Sequence, residues 1–233
     1  MPDKRASRKV AMRLILIRHG QTVSNVGGLL DTKHPGADLT LLGREQAGQL
    51  VTSLAPVAID ALFVSTLVRT QQTAAPLAAA RGLELRVRAD IREVGAGDLE
   101  GRHDRAAVDA YCTTFLAWAN GELDTVMPGG ESGRDTFARF DRVVTEAADL
   151  GLETVALVSH GAILRAWSGY SCSNLHAGYV TDNPLSNTGT IVVAGSPSTG
   201  WTAESWIGSV LPSTLSSAPA ESGPSGLAAE RGF

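Results

Sequence analysis

Cysteine is nearly absent: the 233-residue chain holds two, Cys112 and Cys172, neither in a CxxC pair. That excludes a disulfide scaffold and a thiolate zinc site, and fits a reducing compartment. No run of apolar residues approaches the ~18 needed to span a membrane. The basic N-terminus meets its first aliphatic stretch at "RLILIRHG", too short for a signal h-region and ending in charge. The expected address is therefore the cytoplasm. Charge of one sign is not in excess either. The formal net charge is −4, so no global pull toward nucleic acid or an acidic membrane is expected. An anion site would have to come from a local cluster of Arg and His. The chain also lacks an HExxH pair, a G-x-S-x-G elbow and a P-loop lysine after "GGESGRDT".

What is present is an alternation of short apolar runs and helical stretches. Leu14–Ile17, Ala61–Val64, Leu83–Val87, Val155–Val158 and Thr190–Ala194 read as strands, with a weaker one near Ala203–Ile207. Thr40 is placed to cap a helix through Leu54 and Thr66 one through Ala80. A third helix is expected over Arg105–Asn120, and Ser132 with Asp135 forms a capping box for a fourth that closes before Gly151. A fifth follows Gly161. Unalternating strands separated by helices predict an α/β fold with a mostly parallel sheet covered on both faces. Residues 1–11 read as a flexible basic tail and 12–210 as a single domain. Residues 211–233, rich in Ser, Pro, Ala and Gly, read as a disordered tail.

Two of the strands stop at the same pair: "LIRHG" ends at His19-Gly20 and "LVSHG" at His160-Gly161. In open α/β sheets ligands bind beyond the carboxyl ends of the strands. Each glycine would let a ligand approach backbone N–H groups, and a following helix N-terminus would favour an anion. Arg18 and Arg69 add planar forks suited to phosphate, and Glu93 supplies a carboxylate after another strand. Two histidines, two arginines and a glutamate are a workable apparatus for phosphoryl transfer. Neighbouring guanidinium groups keep an imidazole neutral and nucleophilic, and a carboxyl group can protonate the leaving alkoxide. Asp98 and Glu100 lie close enough in sequence to be the acid instead.

"LIRHGQTVSN" resembles the signature of the histidine phosphatase superfamily, the phosphoglycerate mutase-like proteins. "DLTLLGREQA", "VSTLVRTQQTA", "REVGAGDLEG", "PGGES" and "LVSHGAILR" resemble later blocks of that family in the same order, over roughly residues 13–207. The resemblance implies a three-layer α/β/α sandwich, a covalent phosphohistidine on His19, and Arg18, Arg69 and His160 gripping the phosphoryl group. It makes Glu93 the proton donor and Asn25 a further phosphate contact, with no metal and no cofactor. Two positions depart from the usual pattern. Thr66 replaces a common proline, and "VGGLLDT" stands where many phosphatases carry a polar Gln-Gly pair.

Hydrolysis is favoured over mutase chemistry. Mutases of this kind carry a tyrosine three residues after the glutamate and an adjacent arginine pair; this chain has Ala96 there and no Arg-Arg dipeptide. A non-catalytic phosphate-binding module is the other alternative. The expected partner is a small phosphomonoester, with neither nucleic acid nor membrane, and exposed sheet edges are compatible with a homodimer. His34, His103 and His176 are expected at the surface. Tyr111, Phe115 and Trp118, spaced i, i+4, i+7, read as a core stripe in preference to a substrate lid.

Overall fold

A computed structural model describes residues 11–213. The N-terminal tail but for residue 11, and the C-terminal tail beyond 213, lie outside the described residues. The start of that second tail is tied down: Leu211 N–H bonds Glu204 O at 2.8 Å, and Pro212 O accepts from Asn174 Nδ2 at 2.9 Å.

Seven strands form one sheet: β1 (Met12–Arg18), β2 (Ala61–Ser65), β3 (Leu85–Arg88), β4 (Thr154–Ser159), β5 (Thr190–Ser196), β6 (Gly200–Trp206) and β7 (Ser209–Val210). Their order is β3-β2-β4-β1-β5-β6-β7. The first four are mutually parallel, while β5, β6 and β7 extend the sheet antiparallel. The antiparallel extension follows from its pattern. In β6 the buried Trp201 and Ala203 alternate with more exposed residues, as expected of a strand covered on one side.

The central parallel strands β1, β2 and β4 are apolar on both faces because helices cover both, whereas the edge strand β3 carries Arg86 and Arg88. Leu14 and Leu16 of β1, with Phe63 and Leu157, join a large core. It is completed by α4 (Arg105–Ala119), α5 (Gly133–Asp149), α6 (Gly161–Ser171) and α7 (Ala177–Asp182). Ile15 and Ile17, with Leu62 and Val158, point the other way into a smaller core closed by α2 (Leu41–Ser53) and α3 (Val68–Arg81). The result is a three-layer α/β/α sandwich. The stripe Tyr111, Phe115 and Trp118 is buried in the larger core. Both cysteines are free; burial pushes the Cys172 thiol up to about 12, too high for thiolate chemistry near neutral pH.

Thr40 and Ser132 cap α2 and α5 as expected, the latter through a full capping box. Thr66 does not cap α3. Leu67 holds that position, its side chain having no polar atom to cap with, and Ser65 Oγ takes the Leu67 N–H at 3.2 Å. A one-turn helix, α1 (Val23–Val26), with its own Thr22–Asn25 capping box, and α7 were not expected from the sequence. His34 and His103 are exposed, but His176 is half-buried and caps α7 by accepting the Tyr179 N–H at 3.1 Å.

The loop after β1 is pressed against the start of α2. A Cβ on Gly43 would lie 2.1 Å from Gln21 O, and one on Gly20 would lie 2.6 Å from Gly43 O. These are backbone contacts that no rotamer change relieves. Gly43→Ala should therefore destabilise the protein by about 1–3 kcal/mol despite alanine's higher helix propensity. Gly48→Ala in the same helix, where an added Cβ meets nothing within 4 Å, should stabilise by about 1 kcal/mol. Thermal denaturation of the two variants, expected to shift in opposite directions, checks both.

Candidate active site

The register of β1 on β4 assembles the site. Arg18 pairs with Ser159, so the residues that follow, His19 and His160, leave the sheet side by side, their ring centroids 5.2 Å apart. Strand β2 lies on the other side of β4, and Ser65 at its end reaches His160 Nε2 at 2.9 Å. A small cleft opens at this edge, lined among others by Arg18, His19, Asn25, Asp31, Arg69, Glu93 and Tyr111. The structure thus brings together all six residues singled out from the sequence. Five line the cleft, and His160, fully buried, stands behind His19.

His19 is fixed in one tautomer. Its Nδ1 lies 2.7 Å from Gly20 O. A carbonyl can only accept, so Nδ1 carries the proton and Nε2 keeps its lone pair. Burial foremost, then the Arg69 and Arg18 guanidinium groups, holds its pKa well below the usual imidazole value. His160 is held down likewise, by burial first and then by Arg69 and His19. Its Nε2 faces Ser65 Oγ, which already accepts the Leu67 N–H. Nδ1 of the same ring is a buried atom with no partner in this structure.

The two arginines are only partly engaged. Arg18 Nη1 donates to Leu185 O at 2.6 Å, and Arg69 Nη2 to Asp31 O at 2.9 Å. Arg18 Nε, Arg69 Nε and Arg69 Nη1 are buried and form no hydrogen bond in this structure. Leaving such donors unmatched costs about 1–3 kcal/mol each, more for charged groups. A multi-oxygen anion is the ligand that answers such a set.

Glu93 reaches the site in an unexpected way. Its Oε1 accepts the Val94 and Ile163 N–H groups at 2.9 Å each, and Oε2 accepts the Ala162 N–H at 3.1 Å. The N-terminus of α6, expected to face a ligand, is thus satisfied by this carboxylate. Gly20 N–H is likewise taken, by Thr73 Oγ1 at 2.9 Å. The glycines after the two histidines serve packing: Gly20 admits the α2 backbone, and an added Cβ at Gly161 would press Arg18 Nε at 3.1 Å. Of the alternative acids, Glu100 is occupied by Thr32 N–H and Lys33 N–H, at 2.8 and 3.0 Å, and by the Thr32 hydroxyl. Asp98 packs on Gly129 and does not line the cleft.

Several supporting residues escaped the sequence reading. Asn187 Nδ2 donates to His19 O at 3.0 Å and to Asn25 Oδ1 at 3.1 Å, and Thr22 N–H also bonds Asn25 Oδ1. With Oδ1 so occupied, the Asn25 amide turns its Nδ2 donor away from these partners. Arg139, 2% exposed, donates to Asp90 O, Arg92 O and Glu93 O at 2.8–2.9 Å and pairs with Glu131, immobilising the loop that carries Glu93. Its signal was legible: a charge on the apolar face of α5, between Phe137 and Phe140. Tyr111, within the core stripe, donates its hydroxyl to Val94 O at 2.9 Å and lines the cleft. Asn187 had no such signal, lying in a loop without periodicity. Among the described residues no group of three or more His, Cys, Asp or Glu converges as metal ligands.

The sequence model of the Histidine phosphatase superfamily (branch 1) matches residues 14–207. The adenosylcobalamin/alpha-ribazole phosphatase of Escherichia coli is 32% identical over 154 residues, covering 66% of this chain and 75% of that protein. A mycobacterial glucosyl-3-phosphoglycerate phosphatase, solved in complex with VO3, superposes with a TM-score of 0.69 at 30% identity, covering 84% of this chain and 98% of that one. PE-PGRS family protein PE_PGRS11 of Mycobacterium tuberculosis is 34% identical over 208 residues; the match covers 82% of this chain but 36% of that longer protein. The chain belongs to the histidine phosphatase superfamily, and two of these three relatives are named as phosphatases.

Both buried imidazoles stay neutral in the folded state under conditions where an unfolded chain protonates them. Below pH 6.5 the unfolded state therefore binds more protons, and stability falls as pH drops toward the folded-state values. Each histidine contributes a slope of up to about 1.4 kcal/mol per pH unit. Denaturant unfolding between pH 7 and about 5 should show this slope, and His160→Asn should reduce it. Nitrogen-15 NMR should find His19 as the neutral Nδ1–H tautomer at pH values below 6.5.

Proposed function

We propose that this protein is a phosphomonoesterase acting on a small phosphorylated metabolite through a covalent phosphohistidine on His19, without a metal ion. The observation that carries this reading is the Nδ1–H bond to Gly20 O, which leaves a neutral Nε2 lone pair beside two partly unpaired guanidinium groups. Nε2 attacks phosphorus as the ester P–O bond breaks. Arg18, Arg69, His160 Nδ1 and Asn25 Nδ2 take the charge on the equatorial oxygens. Glu93 gives its proton to the departing alkoxide. A water then attacks the phosphohistidine, its proton passing to Glu93, and inorganic phosphate and free His19 are released. The phosphatase names of the relatives support the reaction class. Mutase chemistry is the weaker reading, because Ala96 stands in the tyrosine position and Arg18 and Arg69 are the only arginines lining the cleft among the described residues.

The purified chain should hydrolyse 4-nitrophenyl phosphate with excess chelator present, and His19→Ala should abolish turnover. Normal hydrolysis by that variant removes His19 from its role, and interconversion of 2- and 3-phosphoglycerate faster than phosphate release favours the mutase. Glu93→Gln should slow alkyl phosphates by about 10²–10⁴-fold and 4-nitrophenyl phosphate much less, because nitrophenolate departs without a proton. Equal loss on both esters would sink the acid assignment.

Asn187 and Asn25 act on the same oxygen network. Asn187→Ala should lower kcat/KM by about tenfold, the equivalent of one hydrogen bond to a charged group. In an Asn25→Ala background the same change should cost much less. Simple multiplication of the two losses would show that Asn187 works independently of Asn25.

A further inference from the structure

Resting on the phosphatase reading, we infer that Asp31, with Leu29 and Leu30, selects esters whose leaving group carries no negative charge of its own. Besides the residues assigned to the phosphoryl group, the cleft is lined by Leu29, Leu30, Asp31 and Thr32. Its lining arginines, Arg18 and Arg69, are both committed to the phosphoryl group in this mechanism. Asp31 Oδ2 accepts the Ser24 hydroxyl and the Ala37 N–H, both at 2.9 Å, and lies 3.5 Å from Arg69 Nη1. Its Oδ1 accepts no hydrogen bond from the described residues. A carboxylate so placed accepts a hydroxyl or ammonium donor and repels a carboxylate or second phosphate.

The wall is held rigidly. Leu30 N–H bonds Arg102 O at 2.9 Å, Gly101 N–H bonds Leu30 O at 2.8 Å, and Glu100 grips Thr32 and Lys33. Arg69, 3.5 Å away, is the cation that meets Asp31, and in this mechanism the phosphoryl group shares it; the cations nearby in sequence add nothing. Arg102 turns its guanidinium to Asp104 at 2.9 Å, and the exposed Lys33 does not line the cleft. At about 6 Å, with screening between that of a protein surface and bulk water, two like charges repel by the equivalent of roughly tenfold in affinity.

Glycerol 3-phosphate and 3-phosphoglycerate test this, since they differ by a hydroxymethyl group against a carboxylate. Specificity is read as kcat/KM, or as competitive inhibition of 4-nitrophenyl phosphate hydrolysis for a compound that is not turned over. The wild type should prefer glycerol 3-phosphate by about tenfold or more, and Asp31→Asn should bring the ratio toward one. The asparagine Oδ1 can still accept from Ser24 and Ala37, and a purely structural loss would lower both substrates together without moving the ratio. A wild type without this preference, or a ratio unchanged in Asp31→Asn, overturns the inference alone. No hydrolysis of 4-nitrophenyl phosphate overturns the phosphatase reading beneath it.

Discussion

The site depends first on the hydrogen-bonded register between β1 and β4. Because Arg18 stands opposite Ser159, both strands end at the same height and hand their next residues to one rim. A shift of one residue would turn every apolar side chain of β1 to the wrong layer, since Leu14 and Leu16 feed one core and Ile15 and Ile17 the other. The burial that fixes the fold therefore also fixes the distance between the two imidazoles. The chemistry needs no separate device to align them.

Around that pair, the protein spends buried charge unusually freely. Arg69 and Arg139 are almost wholly out of water, beside the buried neutral imidazole of His160. Arg139 is bonded at all three nitrogens, whereas Arg69 keeps Nε and Nη1, and His160 its Nδ1, without a hydrogen-bond partner. Such partial satisfaction is destabilising in a core and useful at an anion site, where the ligand supplies the missing acceptors. Burial first, and then the charge of the nearby guanidinium groups, keeps the two histidines neutral.

Much of this was legible in the sequence. The aliphatic runs "LILI" and "VALV", the repeated His-Gly and the order of the motif blocks located the sheet edge and six side chains. What remained hidden was pairing. Nothing in "SNTG" shows that Asn187 will turn the Asn25 amide, and nothing in "GAILR" shows that its free N–H groups will bind Glu93. The glycines were misread for the same reason. Their value lies in which distant backbone they admit, a long-range contact that local pattern does not encode. The antiparallel strands β5 and β6 were recognised as strands, but their direction depends on a hairpin that carries no site residue.

The attachment of Glu93 to the first turn of α6 couples two parts of the machinery that the chain order keeps far apart. His160 immediately precedes that helix, and the carboxylate hangs from its leading amides. Glu93 and His160 are thereby anchored to the same first turn of α6. A substitution that disturbed this one turn would therefore disturb both groups at once, although residues 94–159 separate them in the chain.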